Sequence, residues 1–200
     1  MLGPVSLTPS PMNSINDMAT ACKAGNDLAG MKVHNVNVPA NTLVARFALR
    51  QQDTNDANDD FDLMVMKADG TNVLYSATDG SNEAVQIVGP AAGSWRACVF
   101  AYAGTSPMSY SLSSWVVTPA DVGGNFNVLL PGQVYAGSSA TVGISWSGLA
   151  FGQRTVGAVQ YKDPGGAVQA STVVRVEVNG GLPLSDPSST ASAKLGFRQR

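Results

Sequence analysis

The sequence predicts an all-β protein, in which an antiparallel jelly-roll or β-sandwich domain is followed by a smaller β unit. Short runs of alternating apolar and polar residues recur along the chain, and this period-two pattern is typical of half-buried strands. The chain has 21 glycines and 11 prolines, while charged residues make up only 13% of it, about half of the roughly 25% usual for soluble domains. No helical periodicity lies between the strand-like runs, which argues against an alternating α/β fold.

Residues 1–30 are predicted to form a connector or N-terminal arm. They contain Pro4, Pro9 and Pro11 among Asn, Asp and Ser residues, a composition that is typical of turns and loops. Only residues 5–8 look like a strand.

Residues 31–118 are predicted to form the larger sandwich. Along residues 61–67, Phe61, Leu63 and Val65 occupy one face of the predicted strand, and an Asp-Gly pair after it predicts a hairpin. The predicted strands of this domain are 31–38, 43–50, 61–67, 72–76, 83–88, 95–102 and 109–117.

Residues 119–178 are predicted to form the smaller β unit, after a boundary marked by Pro119 and a pair of glycines. Its predicted strands are few for a sandwich, so we expect the unit to take a strand from the N-terminal arm or to pack on a neighbouring domain. Residues 179–200, rich in Gly, Pro, Ser and Ala, are predicted to be a flexible tail. The predicted strands are 125–130, 139–146, 154–162 and 171–178.

Charge and hydropathy argue against nucleic-acid and membrane-spanning functions. The net charge is -2 with no basic stripe, so we expect no nucleic-acid partner. No run approaches the roughly 18 continuous apolar residues of a membrane span. Residues 1–11 lack the basic start and apolar core of a signal peptide, so we expect any export signal to lie upstream in a longer polypeptide.

The sequence offers no catalytic constellation. Serine hydrolysis requires a nucleophile, a base and an orienting carboxylate, and His34 is the chain's only histidine. His34 stands in a predicted strand, and no glycine-rich elbow surrounds any serine. We interpret His34 as a structural or solvent-facing side chain and predict that the chain is not an enzyme.

One dense acidic loop, residues 53–62, is a candidate calcium site. It holds five carboxylates and two carboxamides, and hard oxygen ligands are what calcium requires. A solvated loop, with Asp62 accepting backbone hydrogen bonds at the start of a strand, is the alternative interpretation. The candidate ligands are Asp56, Asp59, Asp60 and Asp62.

Cys22 and Cys98 are the only cysteines, and their spacing fits no zinc site. A disulfide that ties the arm to the sandwich is plausible in an oxidising compartment. Two buried free thiols are the alternative, and the sequence leaves both open.

Aromatic side chains gather in the predicted strands 95–102 and 109–117. If Trp95 faces the core, Phe100 and Tyr102 face the other way, where they could bind an extended protein or a sugar. Packing beneath a loop or a neighbouring domain is the alternative. The candidate binding residues are Phe100, Tyr102 and Trp115.

Two series of motifs follow one another along the chain. The first comprises Asp59-Asp60-Phe61-Asp62-Leu63, Asp69-Gly70-Thr71, Gly93-Ser94-Trp95 and Tyr110-Ser111-Leu112. The second comprises Ser145-Trp146-Ser147-Gly148-Leu149 with residues 157–161 and 172–176. The first series resembles a bacterial pre-peptidase C-terminal domain, a jelly-roll sandwich carried behind the catalytic domains of secreted peptidases. The second resembles the fibronectin-III-like end of bacterial subtilases.

The resemblance implies a noncatalytic C-terminal region of a secreted subtilisin-like serine endopeptidase. Such a region would stabilise its parent, aid its export or hold it on a protein substrate such as collagen, and its implied partner is the catalytic domain of the same polypeptide. The family's Asp, His-Gly-Thr and Gly-Thr-Ser-Met-Ala segments are absent from the sequence, so no catalytic residue carries over. In relatives the acidic stretch sometimes lies near calcium. The alternative function is a stand-alone extracellular adhesin or a carbohydrate- or collagen-binding module.

Overall fold

The computed structural model describes residues 1–10, 15–122, 125–133, 135 and 137–178. Within these residues, strands dominate and one α-helix and one short 3-10 helix accompany them, which confirms the predicted all-β class. In chain order the elements are β1 (Leu2–Leu7), α1 (Ile15–Ala24), β2 (Met31–Val38), β3 (Val44–Ala48), the 3-10 helix (Gln51–Asp53), β4 (Asp60–Lys67), β5 (Leu74–Ser76), β6 (Ala84–Val88), β7 (Gly93–Ala103), β8 (Met108–Val117), β9 (Phe126–Leu129), β10 (Gly143–Trp146), β11 (Arg154–Lys162) and β12 (Val168–Glu177).

Two four-stranded sheets form the larger part of the fold. Sheet I has the strand order β1-β8-β3-β6, and sheet II has the order β2-β7-β4-β5. Their pairings are antiparallel, and side chains from both sheets share one core. The predicted antiparallel sandwich is confirmed, while jelly-roll connectivity stays a prediction.

The core between the sheets follows the alternation of the sequence. Phe61, Leu63 and Val65 project into it from β4 and are almost wholly buried. Trp95 on β7 is also buried, and its indole N–H donates to the carbonyl oxygen of Ala91 at 2.9 Å. Full burial of one such apolar side chain stabilises the fold by about 1.5–3 kcal/mol. The other core residues are Val38, Ala45, Phe47, Leu49, Val85, Ala97, Val99, Ala101, Met108, Tyr110 and Leu112.

A second hydrophobic cluster lies on the outer face of sheet II, beneath α1. The helix contributes Met18, Ala21 and Cys22, whose spacing of three and four residues places them on one side. The turn-forming composition of residues 1–30 predicted a connector, whereas residues 15–24 form a helix. A helix of ten residues is marginal by itself and gains its stability from packing, which the local sequence does not reveal. The other members of the cluster are Ala19, Leu28, Met31, Val33, Met64, Met66, Cys98 and Phe100.

Gly25 and Arg96 hold the end of α1 on sheet II. Gly25 has a φ of +79°, and the amides of Gly25 and Asn26 donate back to carbonyls of the last turn at 3.1 and 3.0 Å, which is a Schellman motif. The guanidinium of Arg96 donates to the carbonyl oxygens of Cys22 at 3.3 Å and Ala68 at 3.1 Å. Arg96 thereby joins the helix end to the sheet and to the turn after β4.

Strand β1 closes one edge of sheet I by pairing with β8. Val5 lies opposite Tyr110 and Leu7 lies opposite Met108, and both β1 side chains pack against the core. The expectation that the arm lends a strand to the C-terminal unit is therefore wrong. The arm's strand belongs to the sandwich, because β1 continues the inward-facing side of β8 and covers an otherwise open edge.

The residues after the sandwich form two separate two-stranded sheets, β9–β10 and β11–β12. The chain divides into two compact units, one comprising Met1–Gly123 with Val156–Val174 and the other Gly124–Thr155 with Arg175–Arg200. The fibronectin-III-like character of residues 119–178 stays a prediction. The predicted flexible tail, residues 179–200, lies outside the described residues.

Candidate functional site

The backbone of the acidic loop is held by Gln51 and Ser81. Gln51 Nε2 donates to the carbonyl oxygen of Asp59 at 2.7 Å and of Asp56 at 3.2 Å, while Gln51 Oε1 accepts from the Ser81 amide at 2.6 Å. Ser81 Oγ donates to the Asp59 carbonyl at 2.7 Å and accepts from the Phe61 amide at 3.0 Å. An amide and a hydroxyl side chain therefore fix the course of this loop into β4.

Asp59 is a fully buried acid with neither carboxylate oxygen in hydrogen-bond geometry with the described residues. Its Oδ1 lies so close to Gly104 that a Cβ there would come within 2.6 Å. Burial and the charge of Asp56 raise the pKa of Asp59, although the backbone amides of Asp56 and Thr105 are near enough to oppose that shift. A buried carboxyl without partners is stabilised either by a proton or by a cation.

Asp60 and Asp62 lie on the outer face of sheet II, because they alternate with the core residues of β4. Burial raises the pKa of Asp60, and the charges of Asp79 and Glu83 add to the shift. Burial also raises the pKa of Asp62 to about 6, with added repulsion from Asp60 and Glu83. The carboxylates of Asp60, Asp62, Asp79 and Glu83 therefore lie near enough for their negative charges to repel one another.

The four predicted calcium ligands do not gather into one site. Asp56 Oδ1 accepts bonds from the amide and side chain of Asn58 at 2.8 and 3.0 Å, and Asp59 lies against Gly104. Asp60 and Asp62 lie two positions apart along β4, so their Cα atoms are about 6.8 Å apart. In the part of the chain that the structure describes, no three His, Cys, Asp or Glu side chains are grouped so as to hold a metal ion. Calcium binding, with these carboxylates as its ligands, therefore stays a prediction.

The three predicted binding aromatics lie in different surroundings. Phe100 is only 4% exposed because α1 covers it, so of the two alternatives that the sequence left open, its ring is packed beneath another element. Tyr102 is half exposed, next to an irregularity in the pairing of β4 with β7. Trp115 lies on β8 in sheet I, opposite Arg46. The structure therefore places Trp115 in a different sheet from the other two.

Tyr75 is a half-exposed aromatic residue that sequence reasoning did not single out. It lies on β5 opposite Met64, so its side chain projects from the outer face of sheet II. The Asp-Gly turn before β5 was the one sequence feature that could have placed Tyr75. A hairpin turn helps to set the register of its two strands, and the register decides which residue of β4 lies opposite Tyr75. Alternation within one strand does not supply that register.

His34 is a structural hydrogen-bond partner within the sandwich. Its Nε2 lies 2.7 Å from the Tyr110 hydroxyl oxygen, with the two rings nearly perpendicular. Burial lowers the pKa of His34, the Lys32 charge lowers it further and Asp27 opposes the shift. Asp27 itself accepts from Lys32 Nζ at 2.5 Å and from the Val33 amide at 2.9 Å, so its carboxylate is committed to groups other than His34.

Cys22 of α1 and Cys98 of β7 form a disulfide, with their Cα atoms 6.1 Å apart. Both residues are fully buried. Of the two states that the sequence left open, the structure has the disulfide. It fastens the helix covalently to a central strand of sheet II.

No protein-family model matches the chain, and no curated protein matches it either. The likeness to the C-terminal region of subtilisin-like proteases therefore rests on the sequence motifs alone. Neither helix in the described ranges is long and apolar enough to cross a membrane.

Proposed function

We propose that this chain is the noncatalytic C-terminal accessory region of a secreted subtilisin-like serine endopeptidase. The sandwich is the observation that supports the proposal, because the motifs that carry the resemblance occupy its central strands. Asp59-Asp60-Phe61-Asp62-Leu63 leads into β4, and Gly93-Ser94-Trp95 begins β7. These two strands are the middle pair of sheet II.

Secretion is part of the proposal, and the disulfide supports it. Disulfides between buried cysteines persist in oxidising compartments and are rare in reducing ones. Cys22 and Cys98 join two elements far apart in the chain, so the bond serves the fold of the first unit. An extracellular location would keep it oxidised.

The accessory role is to stabilise the parent enzyme, aid its export or hold it on a protein substrate. The partner is the catalytic domain of the same polypeptide. Deleting this region from the parent separates these roles, because the three losses have different readouts: the melting temperature of the enzyme, its secreted amount, and its rate on a fibrous protein relative to a short peptide.

The proposal is tested on the native polypeptide. An antibody raised against this chain would capture it from the culture medium and from cells, and a fluorophosphonate probe would then label any activated serine. We expect a labelled polypeptide longer than 200 residues, with heat-denatured sample as the control. Capture of an unlabelled polypeptide would contradict the proposal.

An extracellular adhesin or polysaccharide- or collagen-binding module is the second candidate function. The half-exposed rings of Tyr75 and Tyr102 on strands of sheet II favour it, because exposed aromatic rings are common in binding surfaces. Retention of the chain on an insoluble polymer, lost in Tyr75→Ala with Tyr102→Ala but kept in Tyr135→Ala, would support this function.

A further inference from the structure

The chain contains two Asp-Gly pairs, and each is followed by a residue with a hydroxyl group. The first is Asp69-Gly70-Thr71, after β4, and the second is Asp79-Gly80-Ser81, after β5. The glycine has a positive φ in both, +84° at Gly70 and +80° at Gly80. Local sequence and glycine conformation therefore do not distinguish the two pairs, but their hydrogen bonds do.

The carboxylate of Asp69 is held in place by its neighbours. Its Oδ1 accepts from the Thr71 amide at 2.9 Å and from the Thr71 hydroxyl at 2.6 Å, and its Oδ2 lies 3.4 Å from Lys67 Nζ. The bonds from Thr71, with a smaller effect of Lys67, lower the pKa of Asp69 to about 2. This side chain therefore stays ionised and directed away from the next amide.

The carboxylate of Asp79 lacks such bonds, because Ser81 is directed to the acidic loop instead. The Ser81 amide donates to Gln51 Oε1 at 2.6 Å, and the Ser81 hydroxyl donates to the Asp59 carbonyl oxygen at 2.7 Å. Ser81 is fully buried, whereas Asp79 is exposed. Within the part of the chain that the structure describes, no hydrogen-bond donor or cation holds the Asp79 carboxylate. Its side chain can therefore rotate toward the Gly80 amide.

We infer that Asp79 is a site of spontaneous isomerisation to isoaspartate, and that this change releases Ser81 from the acidic loop. The Gly80 nitrogen attacks the Asp79 carboxyl carbon, and the carboxyl hydroxyl leaves with the amide proton as one water molecule. The Asp60 carboxylate lies near this amide, so the departing proton has an acceptor beside it. Glycine favours closure of the five-membered succinimide because it has no side chain beside the attacking nitrogen. Water then opens the ring at either carbonyl, which gives aspartate or isoaspartate.

The added length of isoaspartate is what releases Ser81. Isoaspartate carries the main chain through the side-chain carbons, which adds one backbone atom between Thr78 and Ser81. Both ends of this span are fixed, since the Thr78 amide donates to Glu83 Oε1 at 2.7 Å and Ser81 bonds to the Asp59 carbonyl. A longer span between fixed ends displaces one of them, so the acidic loop loses part of its support and the melting temperature falls.

The test incubates the native full chain and locates isoaspartate by mass spectrometry after digestion with endoproteinase Asp-N, which cleaves before aspartate but not before isoaspartate. We expect isoaspartate to form at position 79 at least about tenfold faster than at position 69, because Asp69 must first break its bonds to Thr71. In concentrated urea neither carboxylate is held, so the two rates should become similar. Asp79→Glu keeps the charge and is the matched control, since its ring would have six members and closes far more slowly.

Thermal melting of the incubated chain tests the release of Ser81. The isomerised fraction, separated by ion exchange, should melt below the unmodified chain, while Asp79→Glu incubated in the same way should keep its melting temperature. Three results would overturn the proposal: no isoaspartate at position 79 of the native chain, equal rates at positions 69 and 79, or an isomerised fraction that melts together with the unmodified chain.

Discussion

Both the backbone conformation of Gly25 and its closeness to Arg96 favour glycine at this position, and two substitutions can separate these effects. Its φ of +79° is a left-handed conformation, and a Cβ at this position would lie 3.1 Å from the Arg96 guanidinium. We expect Gly25→Ala to lower the free energy of unfolding by about 1 kcal/mol from φ strain, and by more if Arg96 has to move. Gly89→Ala is the control, because Gly89 has a positive φ with open space around it. Equal losses in urea titrations would show that the contact with Arg96 contributes nothing.

The lowered pKa of His34 predicts that the free energy of unfolding falls in mild acid. Burial lowers its pKa from the ordinary value of 6.5, so the unfolded chain takes up a proton more readily than the folded chain. The stability that comes from keeping His34 neutral is complete above pH 6.5. It is lost as the pH falls toward and through the lower pKa that His34 has in the folded chain. Each unit of pKa difference corresponds to about 1.4 kcal/mol.

His34→Gln isolates this effect, because glutamine does not titrate and His34 is the only histidine. Unfolding free energies measured from about pH 8 to 5 should fall more steeply for the wild type than for the variant. Parallel curves would mean that His34 has the same pKa in both states.

The calcium prediction is tested at Asp59. If a cation binds near this carboxylate, it offsets the cost of burying an unpartnered charge, so millimolar calcium should raise the melting temperature. The rise should disappear in Asp59→Asn and in Asp60→Asn, while Asp17→Asn, on the exposed side of α1, should keep it. A melting temperature indifferent to calcium would retire the prediction.

At the scale of elements, α1 depends on its attachment to sheet II. Replacing Cys22 and Cys98 together by alanine opens a long covalent loop, which corresponds to about 4 kcal/mol in the chain-entropy account. The amides of α1 should lose protection from hydrogen exchange before those of β7, because the helix is short and gains its stability from packing. Helix amides that stay as protected as those of β7 would show that Arg96 and the methionine contacts hold α1 without the disulfide.

The elements also show where sequence reasoning succeeded and where it stopped. The alternation of Phe61, Leu63 and Val65 predicted the inward face of β4, because that pattern is local. The burial of Phe100 depends on α1, and α1 forms because a distant sheet face accepts it, so no local pattern revealed either. The same limit applies to the carboxylates of residues 53–62. The sequence shows that they are close together along the chain, but the alternation of β4 and the hydrogen bonds of the loop direct their side chains to different places.

At the scale of the whole molecule, the sandwich depends on the strand contributed by its N-terminal arm. Deleting Leu2–Leu7 removes Val5 and Leu7 from the core and leaves β8 as an open edge. We expect a loss of about 2 kcal/mol or more in the free energy of unfolding, together with a tendency to aggregate. Val88→Ser on β6, the opposite edge of sheet I and half exposed, is the control and should change stability little. An unchanged unfolding midpoint after the deletion would show that β1 is dispensable.

Strand β7 faces two hydrophobic clusters at once. Trp95, Ala97 and Val99 enter the core between the sheets, while Cys98 and Phe100 enter the cluster beneath α1. Most strands at a surface have one solvent-exposed side, on which substitutions are tolerated with little loss of stability. From residue 97 to residue 100 β7 has no such side, so descendants of this sequence should diverge faster almost anywhere else than along this strand.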